Sequence, residues 1–576
     1  MITKAQLLCK NIVLKVVQSM KRFPEAIFFY CATTLILIYM NHIAYNKATF
    51  DFLTRIAMIL ALGAVVFLCI RTFLERKHPV AIKTTIAIYA SAIIGLFIYF
   101  FLLLDELNTV SVTRYTALSL SLYLLFTFIP YFRKKGSYEL YVITLFTRFF
   151  ITYLYSIVLF LGLAAIIYTI DTLFGVNIDG SLYYDIWLIV ACAFAPAYFL
   201  AEIPGQQDSL YVENYSKVLR VLLLYIVMPI LIIYTAVLYA FFVKILLSGE
   251  WPGGIVANLV LWYSIISTVV LFFIYPLRSK DNLVKHFISL FPKFIIIPLI
   301  MMFISLGIRI NAYGITENRY FVLVAGLWVS GCMIYYIISK NITNIALSVS
   351  LALIMTLSVI GPWSSYSVSK YSQRARFEKI LKENQMLAQD GSIIPSNALS
   401  SDEKETLTSI LYYFEKNHEL SELGLLPVDF QLEDTPKVLG FEPYMHGDYK
   451  YFGLHIGKGQ VLIDINDYDF FYDIYPYRNG KDTDEGELDI SYREREHYLK
   501  ISSKAETVYE KNVADIAREI IDKNKGREEL DVNEMLYTDE NENIKVLYVF
   551  NHINGREENE SVIVEYIDFK LFIKIK

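Results

Sequence analysis

The last 206 residues of this 576-residue chain contain no cysteine. That absence excludes a disulfide framework and a thiolate metal site from the region. The five cysteines, Cys9, Cys31, Cys69, Cys192 and Cys332, all lie earlier. Acid is scarce in a second sense, because no Asp or Glu falls in the middle of any long apolar run. A proton-coupled transporter keeps a carboxylate or histidine on its proton path, so this weakens that class. No G-x-S-x-G, P-loop or G-x-G-x-x-G occurs, and nucleophilic and nucleotide chemistry have no anchor.

What the chain does have is apolar length. A bilayer core takes about 20 apolar residues per crossing helix. Candidate spans fall near 23–40, 53–73, 80–104, 112–131, 149–170, 182–203, 219–247, 254–276, 288–308, 318–339 and 342–361. The expected fold is a membrane all-α helical bundle of about eleven transmembrane helices followed by a small soluble α+β domain. Three segments are expected: an interfacial amphipathic N-terminal segment over 1–22, a polytopic bundle over 23–370, and a soluble acidic domain over 371–576. Lys4, Lys10, Lys15, Lys21 and Arg22 alternate with Leu7, Leu8, Ile12, Val13, Val16 and Val17, which suits a retained interfacial helix rather than a cleaved signal.

Charge separates the parts. Residues 1–370 carry 27 Lys and Arg against 15 Asp and Glu, whereas 371–576 carry 25 against 42. A basic bundle suits anionic head groups, and an acidic tail argues against nucleic acid. Alternate loops differ in the same way. Arg71, Arg76, Lys77, Arg133, Lys134, Lys135, Lys217, Arg220, Arg278, Lys280 and Lys285 fall on one side, with only isolated charges such as Lys47 and Arg114 on the other. The positive-inside rule then puts the N-terminus in the cytoplasm and, with an odd span count, the tail outside. One span more or fewer reverses the tail. Arg148 and Lys244 read as side chains reaching for head groups, and Pro196, Pro229 and Pro298 as kinks.

In the tail, helical periodicity covers 371–389 and 402–418, with another helix near 507–524. Period-two runs at 449–456, 460–466, 468–475, 495–502, 544–551 and 561–575 predict strands, with turns at Asn479-Gly480 and Asn554-Gly555. A final hairpin is expected to put Val562, Val564 and Tyr566 in one strand and Leu571, Ile573 and Ile575 in the next. The acidic clusters at 464–469, 482–486 and 539–543 fail the calcium-loop pattern, so no metal is expected. Among the histidines, only His446 and His455 offer even a weak ligand spacing. No cofactor is implied.

Several motifs occur in order: Lys21-Arg22-Phe23-Pro24, Leu173-Phe174-Gly175-Val176, Ile203-Pro204, Tyr215-Ser216-Lys217-Val218-Leu219 through Pro229, Tyr234, Tyr239 and Lys244 to Trp251-Pro252, Gly314-Ile315-Thr316-Glu317-Asn318-Arg319-Tyr320, Gly361-Pro362-Trp363-Ser364, and Ser367-Val368-Ser369-Lys370. Together they resemble a bacterial family of polytopic membrane proteins known as domain of unknown function 4153. The resemblance implies a membrane bundle and brings no activity with it. On the expected topology, Glu250, Trp251, Arg309, Asn311, Glu317, Asn318, Arg319, Tyr320 and Trp363 gather on the outer face. They form either a composite site or an ordinary interfacial belt. The expected role is non-enzymatic, coupling an outer domain to the bundle for sensing or envelope assembly. Membrane lipids, and another envelope protein, are the expected partners. A polyprenyl-phosphate-type lipid-linked transferase and a small-molecule or lipid transporter are the alternatives.

Overall fold

The computed structural model describes residues 13–76, 81–132, 138–205, 211–249, 255–389, 391–427, 429–443, 450–457, 463, 465–474, 488–493, 496–503, 506–524, 527, 529–558 and 561–576. By its contacts the chain divides into two compact units. One comprises Met1–Ile394 with Ile410–Gln431, the other Pro395–Ser409 with Leu432–Lys576. Residues 371–394 and 410–431, acidic-tail sequence by composition, thus pack with the bundle.

Among the described residues, ten helices of the first unit are long and apolar enough to cross a membrane: α1 Pro24–His42, α2 Lys47–Arg76, α3 Ile82–Leu102, α4 Thr109–Tyr131, α5 Tyr138–Phe174, α6 Ser181–Ala201, α7 Lys217–Ser248, α8 Val256–Ser279, α9 Asn282–Tyr313 and α10 Glu317–Ile338. This is a multi-pass membrane protein. The eleventh expected span is shorter than the rest, since α11 covers only Ile345–Leu357. At 1.5 Å per residue its 13 residues reach about 20 Å, against roughly 30 Å of hydrocarbon. Non-helical flanks complete the path. Tyr275 donates to the Ile342 carbonyl before it and Arg114 to the Val359 carbonyl after it. Asn344, Ser358 and Val359 are buried, as irregular backbone at membrane depth must be. A helix α12, Ser365–Glu383, follows, and α13 covers Ser401–Asn417.

Residues 13–22 are helical, while 1–12 of the expected interfacial segment lie outside the described residues. Arg22 grips Glu75 through two nitrogens at 3.0 Å and donates to the Ile203 carbonyl at 2.7 Å. Arg148 does not merely reach for head groups. It pairs with Glu202, whose carboxylate also takes Lys15. A nearby carboxylate stabilises an embedded guanidinium better than interfacial water alone.

The prolines behave in two ways. Six-residue π-helical stretches, Ile189–Phe194 and Leu222–Val227, end two residues before Pro196 and Pro229. A widened turn relieves the clash and lost donor that proline imposes on the preceding turn. Pro298 instead sits within the continuous α9. The Phe294 carbonyl, four residues back, would lose its partner there, but the Tyr239 hydroxyl donates to it at 2.9 Å.

The second unit contains a sheet ordered β2-β9-β8-β1-β6, with β7 also paired to β8, and a separate sheet β3-β4-β5. The strands are β1 Lys450–Ile456, β2 Phe470–Ile474, β3 Asp489–Arg493, β4 Tyr498–Ser503, β5 Glu506–Asn512, β6 Glu529–Leu530, β7 Leu536–Glu540, β8 Ile544–Glu558 and β9 Ser561–Ile575. The expected strand at 460–466 lies largely outside the described residues, as do Asn479-Gly480, Asp464, His446 and the 482–486 cluster.

Three expectations need correction. Asn554-Gly555 is not a turn, because it lies inside β8 at a register shift where Gly555 opposes Val564. A Cβ on Gly555 would stand 2.3 Å from the Ile563 carbonyl oxygen, so the glycine permits a bulge and a close backbone approach. The expected final hairpin is one 15-residue strand, β9, which lies between β8 and β2. Finally, Glu506–Asn512 pairs as β5, and the helix α14, Val513–Lys523, starts only where the Asn512 side chain accepts from the Ala514 N–H. From there Val513, Ile516, Ala517, Ile520 and Ile521 form the one buried stripe that helical spacing requires.

Candidate functional site

The carboxylates of the bundle lie toward its two ends, while buried hydroxyls such as Thr235, Ser264 and Ser267 sit within the spans. At the end bearing Arg22, a buried chain links Tyr336 to Asn344 at 2.7 Å and Asn344 to Glu139 at 2.6 Å. At the opposite end, His42 and Asn41 hold the buried Asp185 at 2.6 and 2.9 Å. Neither carboxylate stood out in the sequence, because each lies at the first or second turn of a span rather than in its middle.

The richest arrangement surrounds the turn between α9 and α10, at the same end as His42. Gly314 takes φ +70°, a left-handed conformation that suits a residue without a Cβ. Helix α12 clamps this turn. Gln373 donates to the Tyr313 and Ile315 carbonyls at 3.1 and 3.0 Å, Arg376 donates to the Ala312 carbonyl at 2.9 Å, and the Ile315 N–H donates to the Ser372 hydroxyl at 2.9 Å. Burial lowers the pKa of the Arg376 guanidinium. Arg319 donates to the Gly314 carbonyl at 2.8 Å and lies over the Tyr313 ring at 5.5 Å.

Glu317, the first residue of α10, accepts twice on one oxygen. Tyr413 Oη donates at 2.6 Å and His418 Nε2 lies at 2.8 Å, with Tyr413 and His418 themselves 3.0 Å apart. The His418 side chain is only 3% exposed, and its Nδ1 stands 3.9 Å from the Glu422 carboxylate. Burial pushes the Tyr413 phenol up, and the Glu317 carboxylate it donates to pushes the same way. Lys370 on α12 pairs with Glu422 at 2.7 Å. Residues from Tyr413 to Glu422 are thereby tied to α10 and α12 within one unit.

Beside this cluster opens a cleft of about 700 Å³. Its walls come from the turn before α4 (Glu106 to Val110), from Arg114, from the link between α11 and α12 (Val359 to Lys370), and from Lys416 to Glu422. The charges lining it are Arg114, Lys370, Lys416, Glu106, Glu419 and Glu422, with His418.

Of the residues singled out in the sequence, Arg309, Asn311, Glu317, Asn318, Arg319, Tyr320 and Trp363 lie at this end. Tyr320 donates to the Trp363 carbonyl at 2.6 Å, and Arg309 is a charged neighbour of Arg319. Trp363 is exposed, as is Asn311 at the last turn of α9. Glu250 and Trp251 lie outside the described residues. None of these side chains lines the cleft itself. The cleft residues were missed because they come from four separate segments. One signal was present: Arg114 is a lone cation two residues into the apolar run at 112–131. Among the described residues no group of three His, Cys, Asp or Glu is placed to hold a metal. His455 and His552 stack across β1 and β8 with ring centroids 5.9 Å apart.

A curated relative, an uncharacterized protein of Pasteurella multocida strain Pm70, is 22% identical over 377 residues, which is 65% of this chain and 61% of that protein. The chain thus spans about three fifths of that relative's length. No solved structure matches. The model of the DUF4153 family, a domain of unknown function, matches residues 28–392, from the second turn of α1 to beyond the end of α12. The chain therefore belongs to the DUF4153 family.

Proposed function

We propose that this protein is a non-enzymatic inner-membrane receptor that couples a cleft at the outer membrane surface to an extracytoplasmic α+β domain, serving sensing or envelope assembly. One observation carries the reading. Helix α13 is divided between the two compact units, residues up to Ser409 counting with the C-terminal unit and those from Ile410 with the bundle. Its bundle half carries Tyr413, and just past its end comes His418; both hold Glu317. A ligand that moves the cleft wall formed by Lys416 to Glu422 acts directly on this helix. The outer placement rests on the positive-inside reading of the loops.

The test replaces Glu317 and Arg319 singly by alanine in the full-length protein, with Lys47→Ala as the matched control at the same end. Expression and membrane insertion are expected to persist. Glu317→Ala and Arg319→Ala are expected to change the protease sensitivity of the tail and to fail in complementing a deletion strain, while Lys47→Ala behaves as wild type. If all three variants match wild type in both assays, the coupling reading is wrong and these residues form only an interfacial belt.

A further inference from the structure

The cleft lining carries three cations, Arg114, Lys370 and Lys416, against three carboxylates, Glu106, Glu419 and Glu422; Lys370 is paired with Glu422, and Arg114 is the cation set within a span. Arg114 sits in the second turn of α4, within a span, where an ionised side chain is costly unless it meets a partner. Among the described residues it has no carboxylate partner. Its guanidinium makes two long contacts, 3.4 Å to each of the Val359 and Leu103 carbonyls, and lies 5.9 Å from the Tyr366 ring centroid. The Tyr99 hydroxyl near it, on a side chain 7% exposed, is buried without a hydrogen-bond partner. An unpaired intramembrane cation beside an orphaned donor marks a place where an acceptor is wanted.

Two helices also begin at this wall. The Asn108 side chain caps α4 and the Ser364 side chain caps α12, and both residues line the cleft with Arg114. Their N-terminal partial charges add to the guanidinium in favouring an anion. The apolar side of the same wall is Leu103, Leu107, Val359 and Ile360, and Ile360 is 40% exposed beside the exposed Trp363. Charge on one side and apolar surface on the other suit a molecule with both characters.

We propose that the cleft binds a phosphate-bearing ligand, with the phosphate on Arg114 between the starts of α4 and α12 and Lys416 at the rim. Guanidinium suits phosphate because its planar fork donates two parallel hydrogen bonds. Glu106, Glu419 and Glu422 also line the cleft and oppose the anion, Glu422 being offset by Lys370, so the affinity falls below what the cations alone would give. The phosphate belongs either to a lipid head group or to a soluble phosphate ester. This assignment rests on the receptor reading but concerns only what the cleft holds.

The experiment uses the full-length protein in nanodiscs. Binding of phosphatidylglycerol, against a background of the phosphate-free lipid digalactosyldiacylglycerol, is followed by native mass spectrometry, and binding of glycerol 3-phosphate by calorimetry in digalactosyldiacylglycerol discs. Saturable binding in the first arm alone identifies a lipid; in the second, a soluble ester. Arg114→Gln is expected to weaken whichever binding occurs by at least about tenfold, Arg114→Lys by less, and Glu106→Gln to tighten it. Lys47→Gln should change nothing. Should Arg114→Gln fail to fold, the exposed Lys416→Gln replaces it, with a loss of a few-fold expected. Absence of saturable binding in both arms overturns the proposal, as does wild-type binding by Arg114→Gln or weaker binding by Glu106→Gln. Phosphate binding without any change in the tail's protease sensitivity would overturn the coupling instead. A tail that responds to Glu317→Ala in a protein binding no phosphate would leave the coupling standing and remove this ligand.

Discussion

Single side chains in this protein complete jobs that the backbone leaves open. The Tyr239 hydroxyl satisfies the Phe294 carbonyl that Pro298 frees on a surface facing the hydrocarbon, so Tyr239→Phe should destabilise the bundle by roughly 1–3 kcal/mol, the cost of an acceptor left unsatisfied away from water. A detergent thermal-unfolding series would register it, and Pro298→Ala in the same background should recover the loss because the N–H returns. Asp539 offers a second case. Burial alone would raise its carboxyl, but the Lys511 ammonium at 2.8 Å and the Tyr509 hydroxyl at 2.7 Å outweigh it and hold the pKa below the ordinary carboxylate value. A depressed pKa contributes stability that is fully present above the unfolded-state value, about 3.9, and is lost as pH falls through the folded value. Hydrogen-exchange protection of 506–512 and 536–549, corrected for intrinsic rate, should therefore fall in acid, and Asp539→Asn should flatten that dependence. The sequence showed Asp539 only as part of an acidic cluster, since its partners lie about 30 residues earlier on another strand.

Elements were legible wherever one period dominated. The ten long apolar helices stood out because membrane spans are apolar all round and need only length. Helix α14 was recognisable by its stripe, but its start was not, because Glu506–Asn512 contains Thr507, Val508 and Tyr509 and pairs with β4 once the sheet exists. Gly555 misled for a related reason: Asn-Gly is the strongest hairpin signal, yet the same glycine serves a bulge when the strands continue past it. Gly555→Val tests this. The new side chain would meet backbone at Ile563 and the Phe452 ring, so a loss of roughly 1–3 kcal/mol in urea-monitored stability of the C-terminal unit is expected. A true turn position would instead tolerate the change through a shift of the loop. The cleft stayed hidden at this scale because no single element holds more than a few of its residues.

At the scale of the whole molecule, the path of the chain through the bilayer governs every functional statement. Residues 342–361 run from the Tyr275 end to the Arg114 end, and the proposed topology counts them as an eleventh passage beside the ten long helices. With basic loops facing the cytoplasm, alkaline phosphatase fused after Lys576 should be active, and green fluorescent protein at the same position, exported by the general secretory route, should stay dark. A fluorescent fusion would reverse both the topology and the outer-surface cleft. The brevity of α11 has a further effect on the lipids themselves. Leu353 and Leu357 are exposed on a helix of about 20 Å whose flanks are buried, so the lipid-facing part of this passage is short for the bilayer core, a mismatch that local thinning would relieve. The protein should accordingly be most stable in bilayers of short acyl chains and draw such lipids to that flank, making membrane thickness a variable to which the Arg114 cleft at the end of α11 is mechanically exposed.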